Sequence, residues 1–177
     1  MFHVEQNKKY LHCDSKDYLV TGESFKVYLD ENKIIGKTIP APPKAEMFKY
    51  YDSNQYLPHS YNKKNLINTL YSIVKRQMHR KKLEWMSRHL NYNSSVLDYG
   101  CGTGDFVKYL RAKSVMAYGY DPNIKFNSDS PDYLTNNFDW EGKKYDIIFL
   151  WHVLEHTHDP FVLLKSLKKR PNKNGKI

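Results

Sequence analysis

The sequence predicts an α/β fold in which a doubly wound, mostly parallel sheet follows an irregular and helical N-terminal extension. Three observations support this. From residue 94 to residue 177, short apolar runs alternate with helical segments, which is typical of strands joined by helical crossovers. Residues 61–93 show the periodicity of one long amphipathic helix. Residues 1–60 lack sustained periodicity apart from a short strand-like piece at 25–29, and they include a proline-rich stretch at 40–43, which predicts an irregular segment.

The composition indicates a folded protein. Hydrophobic residues make up 40% of the 177 residues and charged residues 27%, which excludes a disordered chain. No apolar run approaches the roughly 18 residues that span a membrane, so we expect no membrane partner. Two cysteines, Cys13 and Cys101, are too few for a disulfide framework and predict a reducing, cytoplasmic location. The net charge of +9 attracts anionic partners, although it also serves solubility.

The predicted long helix has an apolar stripe and a basic face. The stripe residues recur mostly at steps of three or four, and they are Leu66, Leu70, Ile73, Val74, Met78, Leu83, Met86 and Leu90. The basic residues opposite them are Lys75, Arg76, Arg80, Lys81 and Lys82. This pattern predicts that the stripe packs on the domain and that the basic residues face solvent. A nucleic-acid-binding face is the alternative.

Strands and helices then alternate. The predicted strands are residues 95–99, 114–120, 133–135 and 145–150, and the predicted helices are residues 105–112 and 160–169. Asp159 is expected to cap the last helix, with Pro160 in its first position. Residues 123–130 are polar and predict no full helix, so the third strand is a remnant. Residues 174–177 predict a turn that leads into one more strand.

A glycine-rich loop follows the first buried strand, at residues 98–104. Its glycines allow a sharp turn, and the absence of side chains lets a ligand approach the backbone. Asp98 faces this loop, and its carboxylate suits a ligand with a cationic amino group. The third glycine, Gly104, comes two residues after Gly102, whereas the dinucleotide-binding fingerprint has a spacing of three.

Asp121 ends the next strand. Its carboxylate can accept hydrogen bonds from both ribose hydroxyls of an adenosine, since such sheets bind nucleotides at the carboxyl ends of their strands. A turn residue before Pro122 is the alternative interpretation.

These motifs resemble the class I S-adenosylmethionine-dependent methyltransferases, in the large bacterial group that includes the ubiquinone-biosynthesis-type enzymes. The resemblance rests on residues 97–104, 119–122, 145–148 and 151–156. It implies a Rossmann-like fold and S-adenosylmethionine as cofactor. The implied cofactor-binding residues are Asp98, Gly100, Cys101, Gly102 and Gly104 at the methionine part, Asp121 and Pro122 at the ribose, Asp139 and Trp140 at the adenine, and Trp151, with His152, beside the sulfonium.

The upstream segment resembles one bacterial subgroup whose members begin with a cysteine-rich zinc module. This resemblance rests on residues 50–53 and 56–60 and on the basic helix after them. A structural zinc ion needs four ligands, but only Cys13 remains, and residues 28–33 contain no paired cysteines. We therefore expect a degenerate module that binds no zinc.

Histidines cluster after the fourth strand. His152 and His156 are candidates for a general base, because histidine titrates in the useful range and an acceptor nucleophile benefits from proton removal. Alternatively, residues 154–156 form a structural turn that shapes the site. The inverted zinc-protease pattern needs its histidines on one helix, whereas the helix here begins at Pro160, so we expect no metal.

The sequence favours a methyltransferase with a small-molecule acceptor, a sugar or a lipid-linked metabolite, over one that acts on a nucleic acid. The alternatives are an RNA or protein methyltransferase that uses the basic helix, and a truncated, non-catalytic cofactor-binding or assembly module. The resembled family has seven strands, and this chain ends at the start of the fifth. We therefore expect an incomplete domain, weak cofactor binding by the chain alone, and an exposed sheet edge that favours homo-oligomers.

Overall fold

In a computed structural model the chain divides into two compact units, Met1–Lys63 and Lys64–Ile177. The structure describes residues 10–18, 20–50, 66–124, 130–137 and 142–177. The domain boundary predicted after residue 60 lies outside these ranges, as do most of the upstream residues that resemble the zinc-module subgroup.

The first unit contains a small antiparallel sheet. Its strands are β1 (Tyr10–Lys16), β2 (Ser24–Leu29) and β3 (Gly36–Ile39), paired in the order β1-β2-β3, and a 3-10 helix, Lys44–Tyr50, follows. The structure therefore corrects the predicted irregular segment. Because β1 is exposed along its whole length, its sequence lacks the alternation of apolar and polar residues that would reveal a half-buried strand.

Two aspartates organise the turns of this sheet. Asp17 accepts hydrogen bonds from two backbone amides at 3.1 and 2.9 Å in the turn before β2. Asp30 does the same at 2.8 and 3.1 Å in the turn before β3. Carboxylates thus hold the turn where the resembled subgroup would carry paired cysteines, and Cys13 is exposed on β1. The absence of zinc from this module stays a prediction.

The second unit is an α/β domain. Its helices are α1 (Leu66–Ser87), α2 (Asp105–Arg111) and α3 (Pro160–Leu167), and its strands are β4 (Ser95–Tyr99), β5 (Met116–Tyr120), β6 (Leu134–Thr135), β7 (Tyr145–Phe149) and β8 (Pro171–Lys176). The five strands are parallel, in the order β6-β5-β4-β7-β8. This order runs outward in both directions from β4, so the predicted doubly wound, Rossmann-like fold is confirmed. None of the described helices combines the length and apolar character that crossing a bilayer requires.

Hydrophobic clusters cover both faces of the parallel sheet. On one face, Met86 of α1 and Phe106 of α2 pack with Val96 of β4. On the other face, Leu167 of α3 packs with Leu97 of β4. Successive strand residues point to opposite faces, and both central residues of β4 are at most 1% exposed. A parallel strand buried on both sides is therefore apolar throughout its centre, as the sequence indicated.

Helix α1 matches the prediction only at its C-terminal end, where Leu83 and Met86 of the predicted stripe pack on the core, as does Leu90 just beyond the helix. Four residues of the predicted apolar stripe are exposed, namely Leu70, Ile73, Val74 and Met78. The face toward α2 and β7 instead contains Lys75, His79, Lys82 and Met86, spaced by three or four residues. Met86 is only 2% exposed, so its burial sets the rotation of the helix. The prediction that Lys75 and Lys82 face solvent is therefore wrong.

The third strand is as short as predicted. β6 pairs with β5 through only two residue pairs, Gly119 with Leu134 and Tyr120 with Thr135. The Leu134 side chain lies where a Cβ on Gly104 or on Gly119 would stand, at 2.7 Å in both cases. One leucine thus closes the core between the glycine loop and β5.

Asp146 links three strands near their amino-terminal ends. Its Oδ2 accepts hydrogen bonds from the backbone N–H of Ser95 at 2.8 Å and from the Ser95 hydroxyl at 3.2 Å. Its Oδ1 accepts one from Asn172 Nδ2 at 2.7 Å. β8 begins at Pro171, earlier than the predicted residue 174, and the Asn172 contact lies at its start.

We expect Asp146→Ala to destabilise the domain by about 1–3 kcal/mol, because it leaves partly buried donors of β4 and β8 without their acceptor. Urea denaturation of the variant and of wild type measures this difference. Asp132→Ala removes an exposed carboxylate and is the matched control. Equal stabilities of Asp146→Ala and wild type would contradict the linking role.

Candidate active site

The loop between β4 and α2 leaves one glycine open. Gly100, Gly102 and Gly104 have φ values of 81°, 54° and 72°. A Cβ on Gly100 would collide with Val153, and one on Gly104 would collide with Leu134, whereas one on Gly102 would meet nothing within 4 Å. The outer glycines are therefore required by close packing. Gly102 instead presents bare backbone that a ligand can approach.

Asp121 at the end of β5 holds this loop. Its Oδ2 accepts a hydrogen bond from the backbone N–H of Gly102 at 2.9 Å. Its Oδ1 accepts one from the backbone N–H of Asn123 at 2.9 Å. Each carboxylate oxygen can accept a second hydrogen bond, so both remain able to bind hydroxyl groups. The predicted proximity of Asp121 to the glycine loop is thus observed.

Asp98 lies buried under the loop, with 4% of its surface exposed. Burial raises its pKa to about 6, the nearby Lys82 ammonium opposes that shift, and the Asp121 carboxylate adds to it. The two carboxylates therefore act on each other electrostatically. A buried anion of this kind favours a cationic ligand.

Lys82 of α1 extends over the aromatic side chains next to the loop. Its Nζ lies 4.6 Å from the centre of the Trp151 ring and 5.1 Å from that of Phe106. Burial lowers the pKa of Lys82, and the Asp98 carboxylate opposes that shift. Lys82 has no ion pair or hydrogen bond with the part of the chain that the structure describes. The sequence pattern did not reveal Lys82 as a site residue, because basic residues opposite an apolar stripe are expected to face solvent.

Trp151 follows β7 and belongs to the same aromatic group. Its ring stacks on Trp85 of α1 at 5.5 Å and on Phe149 at 6.3 Å. Its indole Nε1 is buried and has no hydrogen-bond partner among the described residues. A buried donor without a partner is costly, so this atom indicates an acceptor that a ligand would supply.

His152 has a strained backbone beside the loop. Its φ is 53°, in the left-handed region that non-glycine residues seldom adopt. Its Nδ1 lies 3.1 Å from Glu155 Oε1, and both side chains are largely exposed. The next residue, Val153, packs on Gly100, which places His152 at the edge of the glycine loop.

His156 ends a 3-10 helix, Leu154–His156, and is exposed. The structural turn considered as an alternative is therefore present, although it does not exclude a catalytic role. Asp159 caps α3 as predicted, since its Oδ1 accepts a hydrogen bond from the backbone N–H of Val162 at 2.9 Å. The helix thus begins after both candidate histidines. No group of three or more potential metal ligands occurs among the described residues.

The remaining predicted site residues differ in whether they can reach a ligand at the loop. The Cys101 side chain points at β5, since its Sγ would stand 2.7 Å from a Cβ on Gly119, so only its backbone faces the loop opening. Burial raises the pKa of the Cys101 thiol. Pro122 is exposed directly after Asp121. Asp139 and Trp140 lie outside the described residues.

This arrangement fits an S-adenosylmethionine-type cofactor. Asp98 supplies a buried negative charge for a cationic group, and the bare backbone at Gly102 leaves room beside it. The Asp121 carboxylate retains capacity for ribose hydroxyls, and the Trp151 Nε1 donor lacks an acceptor among the described residues.

Comparison with known proteins assigns the site to a family. A family model described as a methyltransferase domain matches residues 51–177. A tRNA U34 carboxymethyltransferase of Nautilia profundicola is 29% identical over 115 residues, covering 55% of this chain and 38% of that protein. Proteins of the same name from Campylobacter jejuni subsp. doylei and Campylobacter lari are 31% and 32% identical over 104 residues, each covering 46% of this chain and 33% of that protein. The chain thus spans little more than a third of the length of these curated relatives.

We expect Asp98→Asn to stabilise the protein at pH 8 and to have little effect at pH 4. The pKa of Asp98 rises on folding from 3.8 to about 6. Below 3.8 the carboxyl is protonated in both states, whereas above 6 its ionisation opposes folding by on the order of 3 kcal/mol. Chemical denaturation at both pH values measures the difference.

The matched control for this prediction is Asp146→Asn. Hydrogen bonds from Asn172 and Ser95 lower the pKa of Asp146, so its loss is expected to weaken the fold more at pH 8 than at pH 4. If Asp98→Asn proves less stable than wild type at pH 8, the carboxylate is not a destabilising buried charge.

Proposed function

Since this chain belongs to the methyltransferase domain family, we propose that it binds an S-adenosylmethionine-type cofactor at residues 98–104 and alkylates a tRNA. The open backbone at Gly102, between the Asp98 and Asp121 carboxylates, is the observation that carries the cofactor assignment. The names of the similar proteins specify tRNA, which supports tRNA as the acceptor. A tRNA acceptor also agrees with the cytoplasmic location expected from the sequence.

The small-molecule acceptor favoured from the sequence, a sugar or a lipid-linked metabolite, is wrong, as is the preference against a nucleic acid. The similar proteins carry names that specify tRNA. Acceptor contacts lie outside the cofactor loop, so the motifs at residues 97–104 and 119–122 cannot distinguish one acceptor from another. The net charge of +9 serves solubility, and it would also attract a polyanionic acceptor such as tRNA.

In this proposal, the chain's own residues bind and orient the reactants. Asp98 attracts a cationic group, Asp121 accepts hydrogen bonds from the ribose, and Gly102 allows close backbone contact. The bound cofactor supplies an electrophilic carbon on a sulfonium. Displacement at that carbon depends mainly on alignment, which Trp151, fixed between Trp85 and Phe149, would provide.

The transferred group is a methyl or a carboxymethyl group, and one observation favours the second. Lys82 Nζ and Trp151 Nε1 are hydrogen-bond donors of neighbouring side chains, and neither has a hydrogen-bond acceptor among the described residues. A carboxylate on the transferred group would supply an acceptor for the Lys82 ammonium, which lies over the Trp151 ring. The names of the relatives specify carboxymethyl transfer.

His152 is proposed as the general base for the acceptor nucleophile. Its contact with Glu155 orients the ring through Nδ1, which leaves Nε2 to take a proton. His156 ends the adjacent turn and interacts electrostatically with the same carboxylate, Glu155.

We expect Gly102→Ala to weaken binding of S-adenosylmethionine at least about tenfold, because a methyl group enters the space left for the ligand. Isothermal titration calorimetry measures this affinity. Gly142→Ala is the matched control, since Gly142 also has a positive φ and a Cβ added to it would meet nothing within 4 Å. If both variants lost affinity equally, the cause would be backbone strain, and the cofactor would not be bound at residues 98–104.

We expect the protein to transfer radiolabel from the cofactor to tRNA, with His152→Asn lowering kcat at least about 100-fold and leaving cofactor affinity unchanged. Asparagine tolerates a positive φ, so the backbone at this position is preserved. Mass spectrometry of the digested tRNA tells methyl from carboxymethyl. His156→Asn is the comparison variant. If it lowered kcat more than His152→Asn does, His156 would be the general base. If no tRNA became labelled, the proposal that tRNA is the acceptor would be refuted.

A further inference from the structure

Trp85 presents an exposed ring beside the candidate active site. Its side chain lies on α1 and is 54% exposed. One face of its indole stacks on Trp151, with ring centroids 5.5 Å apart and an angle of 23° between the planes. Trp151 lies two residues after the end of β7, next to His152. Trp85 is therefore the outermost member of an aromatic stack that leads into the site.

The second face of this indole has no ring partner among the described residues. Trp151 holds the ring in place, so its orientation is already set before any ligand arrives. A rigid, flat aromatic surface beside a positively charged helix is how proteins bind unpaired nucleobases.

Basic side chains flank Trp85. Lys81 stands four residues before it on α1, Arg88 stands three residues after it in the turn that ends the helix, and both are exposed. Side chains at these spacings are neighbours on a helical surface. Helix α1 itself contains five lysines and arginines and one acidic residue, Glu84. This charge balance favours a sugar–phosphate backbone alongside the exposed ring.

We propose that Trp85 stacks an unpaired nucleobase of the acceptor RNA while Lys81 and Arg88 contact the adjacent phosphates. The inference rests on the proposed tRNA acceptor and adds to it a specific binding site. Because the other face of Trp85 stacks on Trp151, a base stacked there is separated only by the Trp85 ring from the side chain proposed to align the transfer. Unpaired bases bind in this way, whereas a base inside a duplex cannot reach the ring.

The test compares two substitutions of similar size in the full chain. Trp85→Leu keeps an apolar side chain for packing but removes the flat aromatic surface, whereas Trp85→Phe retains one. Fluorescence anisotropy measures the affinity of each for a labelled single-stranded oligouridylate and for a double-stranded RNA of equal length. We expect Trp85→Leu to bind the single strand at least about fivefold more weakly and Trp85→Phe to bind it within about twofold of wild type. Binding of the duplex should be unchanged in both.

Two controls separate stacking from charge and from general surface effects. Tyr92→Leu removes an aromatic ring that is 99% exposed, and it should not change affinity. The double variant Lys81→Ala, Arg88→Ala should weaken binding of both RNAs and reduce the dependence of affinity on salt. Trp85→Leu should leave that salt dependence as in wild type.

Several results would overturn the inference. Equal single-strand affinity in wild type and Trp85→Leu would show that the ring binds no base. Loss of S-adenosylmethionine binding in Trp85→Leu would make Trp85 a support of the cofactor site instead. A dimer in sedimentation that Trp85→Leu dissociates would assign the ring to a second copy of the chain. If wild type binds cofactor but no RNA, the proposed acceptor itself fails, which is distinguishable from failure at Trp85 alone.

Discussion

The hydrogen bond from the Gly102 amide to the Asp121 carboxylate is the constraint on which the candidate site depends. It joins the loop after β4 to the end of β5. The amides of Gly100 and Cys101 reinforce this connection by donating to the Tyr120 carbonyl at 2.7 and 2.9 Å. The loop therefore cannot turn away from β5, and its open backbone stays beside two carboxylates. A parallel sheet supplies this arrangement because adjacent strands end at the same edge.

The net negative charge of the candidate site favours a cationic ligand. Asp98 is buried and lies within electrostatic reach of Asp121, and Lys82 compensates for only part of that negative charge. Such a site opposes folding when it is empty and ionised, and a cationic ligand relieves this cost. If Asp98 binds the cofactor as proposed, its charge favours binding at the expense of stability.

Helix α1 connects the site to the surface. Its inner face brings Lys75 to Asp105 at the start of α2 and Lys82 to Trp151. Its outer surface exposes apolar and basic side chains, including Trp85. In a helix that only covered a core, apolar residues would face inward and charged residues outward. Helix α1 departs from this pattern, because Lys75 and Lys82 face inward while Leu70 and Ile73 are exposed.

The sequence by itself determined the strands of the parallel sheet, the cap at Asp159 and the glycine loop, because apolar runs, capping residues and glycine spacing are local properties of the chain. It also identified Asp98, Asp121 and Trp151 as site candidates. Of the three-stranded sheet at the N-terminus only the strand-like piece at 25–29 was visible, since β1, which buries no face, carries no alternation. Only the tertiary structure decided which face of α1 is buried, and with it the positions of Lys82 and Trp85. The rotation of that helix depends on the fit of Met86 against the sheet, a contact between residues far apart in sequence.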